Sequence, residues 1–315
     1  MLTIRNLSHD PFYNQAFEEY IYQTFPDDDI FFLWQNSPAV VVGSYQNICR
    51  EVHVEALRRL GIPVVRRMTG GGTVFHDLGN VNYTYIVRTD GGWNYDDVLA
   101  PVIAALNAIG VPARKNRVCD IAIGDLKISG SAQRIVKGRL LHHGTLLFSS
   151  DLSVLDQITT HRKNDCFQIR GTQSAICTVT NIREHLTSPM TIEKFQDRLL
   201  GQMVPPGSPH LTLTAEQEAE VCRLRDEKYR SWEWTWGRTP AFTYEKSGIF
   251  NGVPIRVAYQ AKRGIVSDAV IDCAAIDGAL ASQLLSGARL DPEGFAEVCR
   301  RLAGDGAEEL MDWLM

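Results

Sequence analysis

Apolar positions along the first half of the chain change their period repeatedly, and each change marks an element. Behind Asp10-Pro11, residues Phe12, Ala16, Phe17, Tyr20 and Ile21 recur at helical spacing, with Asp as cap and Pro at the first helical position. IFFLWQ and AVVVGS are short apolar runs and predict strands. Glu51 to Leu60 predicts a helix closed by Gly61, and Ile62 to Met68 and Val81 to Val87 predict strands on either side of a glycine run. Val98 to Ile109 predicts a further helix ending at Gly110. Strand-like segments continue to Phe148, and a less regular stretch reaches about Trp236. A small α+β unit follows, with a strand pair around Lys262-Arg263-Gly264. Its helix is opened by Asp291-Pro292 and carries Phe295, Val298, Cys299 and Leu302 on one face. The change near Gly237 to Pro240 predicts two units, 1–238 and 239–315.

Composition narrows the picture. A chain of 315 residues with 44% hydrophobic content can bury a substantial core. No apolar run approaches membrane-spanning length, and MLTIRNLSHDPF lacks the basic-then-apolar pattern of a secretion signal, so a cytoplasmic protein with no membrane partner is expected. Seven cysteines without a C-x-x-C pair predict reduced thiols, mostly in the core, rather than a disulfide framework or a zinc site. A net charge of −5 disfavours nucleic acid as a partner.

The glycine run RRMTGGGTVFHDLGN, Arg66 to Asn80, asks what needs bare peptide at Gly70, Gly71 and Gly72. A Walker-type loop would need a lysine and lead into a helix, and a dinucleotide fingerprint would need G-x-G-x-x-G between strand and helix. This loop has neither. Two readings stand: an anion-binding nest flanked by the guanidinium forks of Arg66 and Arg67, or a flexible hairpin with surface arginines.

CDIAIGDLKISGSAQ, Cys119 to Gln133, reads as a hairpin with Gly124-Asp125 as its two-residue turn. That register pairs Ile123 with Leu126, Ala122 with Lys127, Ile121 with Ile128 and Asp120 with Ser129. Alternation then sends Ile121, Ile123, Leu126 and Ile128 to the core and sets Asp120, Lys127 and Ser129 on the opposite face. Small residues in SGSAQ leave room beside the lysine. In LLHHGTLLFS, His142 and His143 fall on opposite faces of a strand. Unbroken alternation puts His142 on the lysine face, a bulge at Gly130 would exchange the two, and spacing does not choose.

Taken together, RRMTGGGTVFHDLGNVNYTYI, DIAIGDLKISGSAQ and HHGTLL resemble the lipoate-protein ligases of the biotin/lipoate ligase superfamily. Further similarity runs from YNQAFEEYI through VVVGSYQN and the segment ending VTNI to WEWTWGRTPAF, covering nearly the whole chain. The resemblance implies an α+β fold: a mixed-sheet catalytic domain related to that of class II aminoacyl-tRNA synthetases, with a small α+β C-terminal accessory domain. It implies that ATP and lipoate give lipoyl-AMP, from which the lipoyl group passes to a lysine of an acceptor lipoyl domain. The acceptor would be the E2 component of a 2-oxoacid dehydrogenase or the glycine-cleavage H protein. By the same resemblance Arg67 and the loop Gly70, Gly71, Gly72, Thr73, Val74 and Phe75 meet the nucleotide or adenylate, and His76 closes the loop. Lys127 contacts the lipoyl carboxyl and the α-phosphate as the catalytic residue, and Asp120 matches the acidic residue of the family's Arg-Asn-Asp motif. Mg²⁺ would accompany ATP, with ligands unassigned.

The chemistry suits those residues. Attack of a carboxylate on an α-phosphate brings two anions together, which fixed cations and oriented N–H groups stabilise, and no side-chain nucleophile is required. The chain departs from the family pattern at Arg117-Val118-Cys119-Asp120, at Cys177-Thr178 and at Gly43-Ser44-Tyr45-Gln46-Asn47. Cys119 raises a rival reading, an ATP-independent octanoyl or lipoyl transferase working through a cysteine thioester, although alternation sends Cys119 to the core face. A non-catalytic lipoyl-binding module is a third. Trp232, Trp234 and Trp236 recur at strand spacing and read either as a stacking surface for adenine or as packing at the junction of the two units.

Overall fold

The structure, a computed structural model, describes residues 1–89, 92, 94–159, 166–169, 172–175 and 177–315. Its strands in chain order are β1 (Leu2–Ile4), β2 (Ile30–Trp34), β3 (Ala39–Val42), β4 (Val64–Arg66), β5 (Val74–His76), β6 (Asn80–Arg88), β7 (Arg114–Lys115) and β8 (Asp120–Ile123). β9 (Leu126–Val136), β10 (Arg139–Leu147), β11 (Phe167–Ile169), β12 (His210–Leu211), β13 (Phe242–Phe250), β14 (Val253–Lys262) and β15 (Ile265–Cys273) follow. They form a mixed eight-stranded sheet ordered β12-β1-β2-β6-β10-β9-β8-β7, a three-stranded sheet β4-β3-β5, and a four-stranded sheet β11-β13-β14-β15.

Two layers of apolar side chains cover the large sheet. On one face Phe31, Val81, Tyr85, Ile121, Ile128 and Leu140 pack with Val98, Leu99 and Val102 of helix Tyr95–Ala108 and with Phe195 and Leu199 of helix Ile192–Met203. On the other, Phe32, Trp34, Ile86 and Leu141 pack with Phe17 and Ile21 of helix Pro11–Thr24. That helix starts as the sequence predicts, Asp10 accepting from the Phe12 amide with Pro11 in the first turn. Phe17 is 1% exposed, so its truncation to alanine costs about 3–5 kcal/mol. The small sheet shares its core with the C-terminal unit, where Val40, Val42 and Phe75 join one cluster with Val257, Tyr259 and Phe295. Among the described residues, no helix is long and apolar enough to cross a membrane.

Several expectations need correction. The helix predicted over Glu51 to Leu60 is two short helices, Ile48–Glu51 and Val54–Leu60, because Val52 takes an extended conformation between them. The stretch from Phe148 to Trp236 is more helical than its sequence indicates, holding helices Leu152–Thr159, Ile192–Met203 and Ala215–Leu224. Trp232 and Trp234 belong to a short helix, Trp232–Thr235, capped by Ser231, and are not on a strand. The turns at Lys137-Gly138 and Arg263-Gly264 have positive φ at both residues, as two-residue hairpin turns require.

Candidate active site

The glycine loop joins β4 to β5 and winds around one cation. Arg67, 5% exposed, donates from Nη2 to the carbonyls of Gly70 (2.6 Å) and Gly72 (2.7 Å), from Nε to Thr69 Oγ1 (3.0 Å) and from Nη1 to the Val41 carbonyl (3.1 Å). Burial lowers its pKa to about 10, which leaves it charged at neutral pH. Gly71 adopts φ +87°, and a Cβ there would stand 3.0 Å from Arg67 Nη2, so conformation and contact both call for glycine. A Cβ on Gly43 would fall 2.2 Å from the Gly71 carbonyl, which shows how closely the Gly43–Asn47 turn lies against the loop. Gln46 ties the two together, its Oε1 accepting from the Gly43 amide (2.8 Å) and from Thr73 Oγ1 (2.9 Å).

Arg66 does not flank this loop as a second fork. It is 0% exposed and donates to the carbonyls of Gly43, Gln46 and Thr235, bolting the turn to the segment that leads into the C-terminal unit.

The β8–β9 hairpin follows the predicted register for Ile123–Leu126 and Ala122–Lys127, then slips. Ile121 faces Ser129 and Asp120 faces Gly130, a bulge that gives β9 one extra residue. Beside the slip the lysine backbone has a second partner: the Lys127 amide donates to Thr178 and the Thr180 amide donates to the Lys127 carbonyl, both at 3.0 Å. Lys127 Nζ lies 2.9 Å from Asp120 Oδ1 in a half-enclosed setting. A Cβ on Gly130 would stand 2.9 Å from that ammonium. The bulge also decides between the histidines: β9 and β10 pair Ala132 with His143 and Gln133 with His142, and the extra residue brings Ala132 rather than Gln133 to the cavity that Lys127 lines. His143 lines the cavity beside Lys127. His142 is buried behind the sheet, stacked on Tyr83 at 6.0 Å, and burial pushes its pKa down to about 3.

These parts enclose a cavity of about 330 Å³ lined by Arg67, Gly71, Gly72, Thr73, Val74, His76, Asp120 and Lys127, with Trp34, Val41 and Ala132 among its walls. A second cavity of about 580 Å³ adjoins it, bordered by Phe75, Arg50, Glu51 and Asp156. Thr73, Val74, Lys127, Gly130 and Ser174 line both, so Lys127 stands at their common boundary. Of the predicted site residues, Gly70 alone borders neither cavity; its carbonyl serves Arg67. His76 is 3% exposed, its Nδ1 accepts from Asn36 Nδ2 (2.9 Å), and its Nε2 has no partner among the described residues. A buried N–H without an acceptor beside a cavity is a donor awaiting a ligand atom or a water.

Cys119 corrects the sequence reading. It precedes β8, so strand alternation does not govern it, and it lines the first cavity with Sγ 3.7 Å from Asp120 Oδ1. Burial, reinforced by that carboxylate, raises its pKa and disfavours the thiolate. The three tryptophans border neither cavity. Trp232 carries Arg289 over its ring and Trp234 donates to the Arg66 carbonyl (2.7 Å), both packing roles.

Sequence reasoning missed Glu18, Thr69, Gln46 and Ser174. Ser174 accepts from the Thr73 amide (2.9 Å), accepts from Gln46 Nε2 (3.1 Å) and donates to Glu51. The signal for Glu18 was present: a carboxylate on the buried side of an amphipathic helix, beside Phe17 and Ile21, needs a polar partner. Among the described residues, no group of three or more His, Cys, Asp or Glu side chains is arranged to hold a metal ion.

Comparison with known proteins places this geometry in context. Residues 10–204 match the family described as the lipoyl protein ligase A/B catalytic domain. Lipoate–protein ligase 1 of Staphylococcus aureus is 35% identical over 268 residues, covering 83% of this chain and 81% of its own. P. falciparum LipL1, solved in complex with lipoate, shares the fold over 99% of this chain and 98% of its own, with a TM-score of 0.65 at 21% identity. A lipoate-protein ligase A solved bound with ATP aligns over 74% of this chain and 97% of its own, with a TM-score of 0.63 at 24% identity.

Proposed function

This chain belongs to the lipoate-protein ligase family, and we propose that its two adjoining cavities are where lipoate and ATP meet. The protein is an ATP-dependent lipoate-protein ligase. The observation that carries the site assignment is the position of Lys127: one ammonium at the boundary of a cavity walled by Trp34, Val41 and Ala132 and of a second, more polar one. The first suits the apolar tail of lipoate, the second the nucleotide, and the boundary is where a carboxylate and an α-phosphate would be brought together.

In the first step a carboxylate oxygen attacks the α-phosphorus, a C–O–P bond forms, and the Pα–O–Pβ bond breaks to release pyrophosphate. Lys127 neutralises the two anions as they approach and the charge that builds on the phosphate oxygens. Asp120 holds the ammonium in place at 2.9 Å. In the second step the neutral amine of an acceptor lysine attacks the carbonyl carbon, AMP leaves, an amide forms, and the amine's proton passes to solvent. Arg67 shapes the loop, donating to the Gly70 and Gly72 carbonyls and Thr69 and tying them to the Val41 carbonyl of β3. His76 Nε2–H is available to an acyl or phosphoryl oxygen. Mg²⁺ with the nucleotide would draw its shell chiefly from phosphate oxygens and water, with Asp120 of the first cavity and Glu51 and Asp156 of the second the carboxylates that line the site, and would supply charge neutralisation.

The acceptor is a lysine on a lipoyl-domain protein, either the E2 component of a 2-oxoacid dehydrogenase or the glycine-cleavage H protein. Residues 239–315 form the accessory unit beside catalytic residues 1–238. A cytoplasmic setting, with ATP at hand and cysteines kept reduced, suits a chain in which Cys119, Cys177, Cys222, Cys273 and Cys299 are free thiols.

The test is to incubate the protein with ATP and lipoate, detect the acyl-adenylate by mass spectrometry, then add a purified lipoyl domain. Formation of lipoyl-AMP followed by a lipoyl mass shift on the domain is expected. A shift obtained from a lipoylated carrier without ATP would overturn the reading.

A further inference from the structure

Beneath the glycine loop runs a chain of hydrogen bonds whose direction can be worked out bond by bond. Arg67 has only donors, so its Nε–H gives to Thr69 Oγ1 at 3.0 Å. The Thr69 hydroxyl keeps one proton and lies 2.8 Å from His143 Nε2. His143 Nδ1 lies 2.8 and 2.9 Å from the two oxygens of Glu18, which also accepts from Thr84 Oγ1 at 2.7 Å. Thr84 in turn accepts from Trp34 Nε1 at 2.9 Å. Glu18 offers its oxygens as acceptors to both Thr84 and the ring, which places the proton of His143 on Nδ1 and frees Nε2 to accept from Thr69. A proton on Nε2 would leave the Thr69 hydroxyl accepting twice with nowhere to donate. All members are nearly inaccessible: Glu18 and Thr69 are 1% exposed, Arg67 5% and His143 7%.

We propose that Glu18, His143 and Thr69 form a polarised relay that positions Arg67, making them positioning residues for adenylate formation. The proposal rests on the ligase reading and deepens it. Two physical needs are met at once. Arg67 is a buried cation, and Glu18 supplies the compensating charge across two intervening groups, favouring the charged guanidinium. The relay also fixes the rotation of the guanidinium, whose Nη2 draws in the carbonyls of Gly70 and Gly72. Because a trans peptide points its N–H opposite its C=O, turning those carbonyls toward Arg67 turns the amides of Gly71 and Thr73 away from it. The loop is thus held in the shape its left-handed Gly71 records. His143 and Trp34 also line the lipoate-sized cavity, so the relay touches the acyl pocket at one end and the glycine loop at the other.

The experiment compares wild type, Thr69→Val, Thr69→Ser, Glu18→Gln and the Glu18→Gln/Thr69→Val double variant. Lipoate-dependent pyrophosphate release gives kcat at saturating ATP, and lipoate binding is followed separately by calorimetry. Valine keeps the shape of threonine and removes the hydroxyl, so kcat should fall about 10- to 100-fold while lipoate affinity changes less than about threefold. Thr69→Ser should restore most of that loss. Glu18 and Thr69 communicate through His143, so the double variant should be no slower than the slower single variant. Wild-type kcat in Thr69→Val, a serine variant as slow as valine, or losses that multiply in the double variant would overturn the relay. If Thr69→Val melts below the assay temperature, Glu18→Gln with Arg67→Lys takes its place under the same rule: coupling supports the relay and multiplication overturns it. A wild type that releases no pyrophosphate would instead refute the ligase reading, which keeps the two failures apart.

Discussion

Gly130→Ala is a one-methyl test of how the lysine is held. Gly130 does not occupy the left-handed region, so alanine fits the backbone, and the lost freedom of the unfolded chain would by itself stabilise by about 0.4–1 kcal/mol. The added carbon would stand 2.9 Å from Lys127 Nζ and 3.0 Å from Cε, against about 3.5–4.0 Å for an unstrained contact. A flexible lysine tip relieves that by retreating roughly 0.5–1 Å, a cheap movement for the fold but a large one for the reaction. Misplacement of that order at a reacting centre costs up to about 100-fold. The expected outcome is a melting temperature within a few degrees of wild type and a 10- to 100-fold fall in lipoate-dependent pyrophosphate release. In Gly130→Ala/Lys127→Ala the rate should equal that of Lys127→Ala alone, because the methyl acts through the lysine. Unchanged release in Gly130→Ala, or a double variant much slower than Lys127→Ala, would refute the reasoning.

Three more outcomes follow from the same geometry. Cys119→Ser should keep pyrophosphate release and lipoyl transfer within about threefold of wild type, since burial and Asp120 hold the thiol protonated; complete loss of transfer would revive the thioester mechanism. Arg66→Met should lower stability by about 2–4 kcal/mol in denaturant titration, because three backbone carbonyls lose their donor in a closed interior, and an unchanged midpoint would contradict the clamp. Burial lowers the folded-state pKa of His76 and His142 to about 3, so the unfolded state takes up protons first; stability is full above pH 6.5 and falls as pH drops from there toward 3. Each histidine contributes about 1.4 kcal/mol per pH unit in that window, and His142→Gln should roughly halve the slope between pH 6.5 and 5; an unaltered slope would exclude the assignment.

Local chemistry was the legible part of the sequence. Asp10-Pro11 announced its helix, Gly124-Asp125 and Arg263-Gly264 their turns, and the glycine run a loop between strands, because each signal acts within a few residues. What the sequence hid depends on distant partners. The bulge that slips Asp120 opposite Gly130 arises where the Lys127 backbone meets Thr178 and Thr180, some fifty residues on, and no local pattern marks it. The same slip settles which histidine joins the site. Arg66 and Arg67 are adjacent and alike in sequence, yet one bolts a turn to the Thr235–Thr239 segment and the other organises the loop, a difference set wholly by tertiary contacts. Cys119 escaped the core because its strand begins one residue later.

The most direct measurement is pyrophosphate release from ATP by the purified protein with lipoate added, alongside Lys127→Ala. Release that requires lipoate and falls at least 100-fold in the variant is the predicted result. Release that persists in Lys127→Ala, or no release from the wild type with lipoate present, would contradict the claim that adenylation takes place at the lysine between the two cavities.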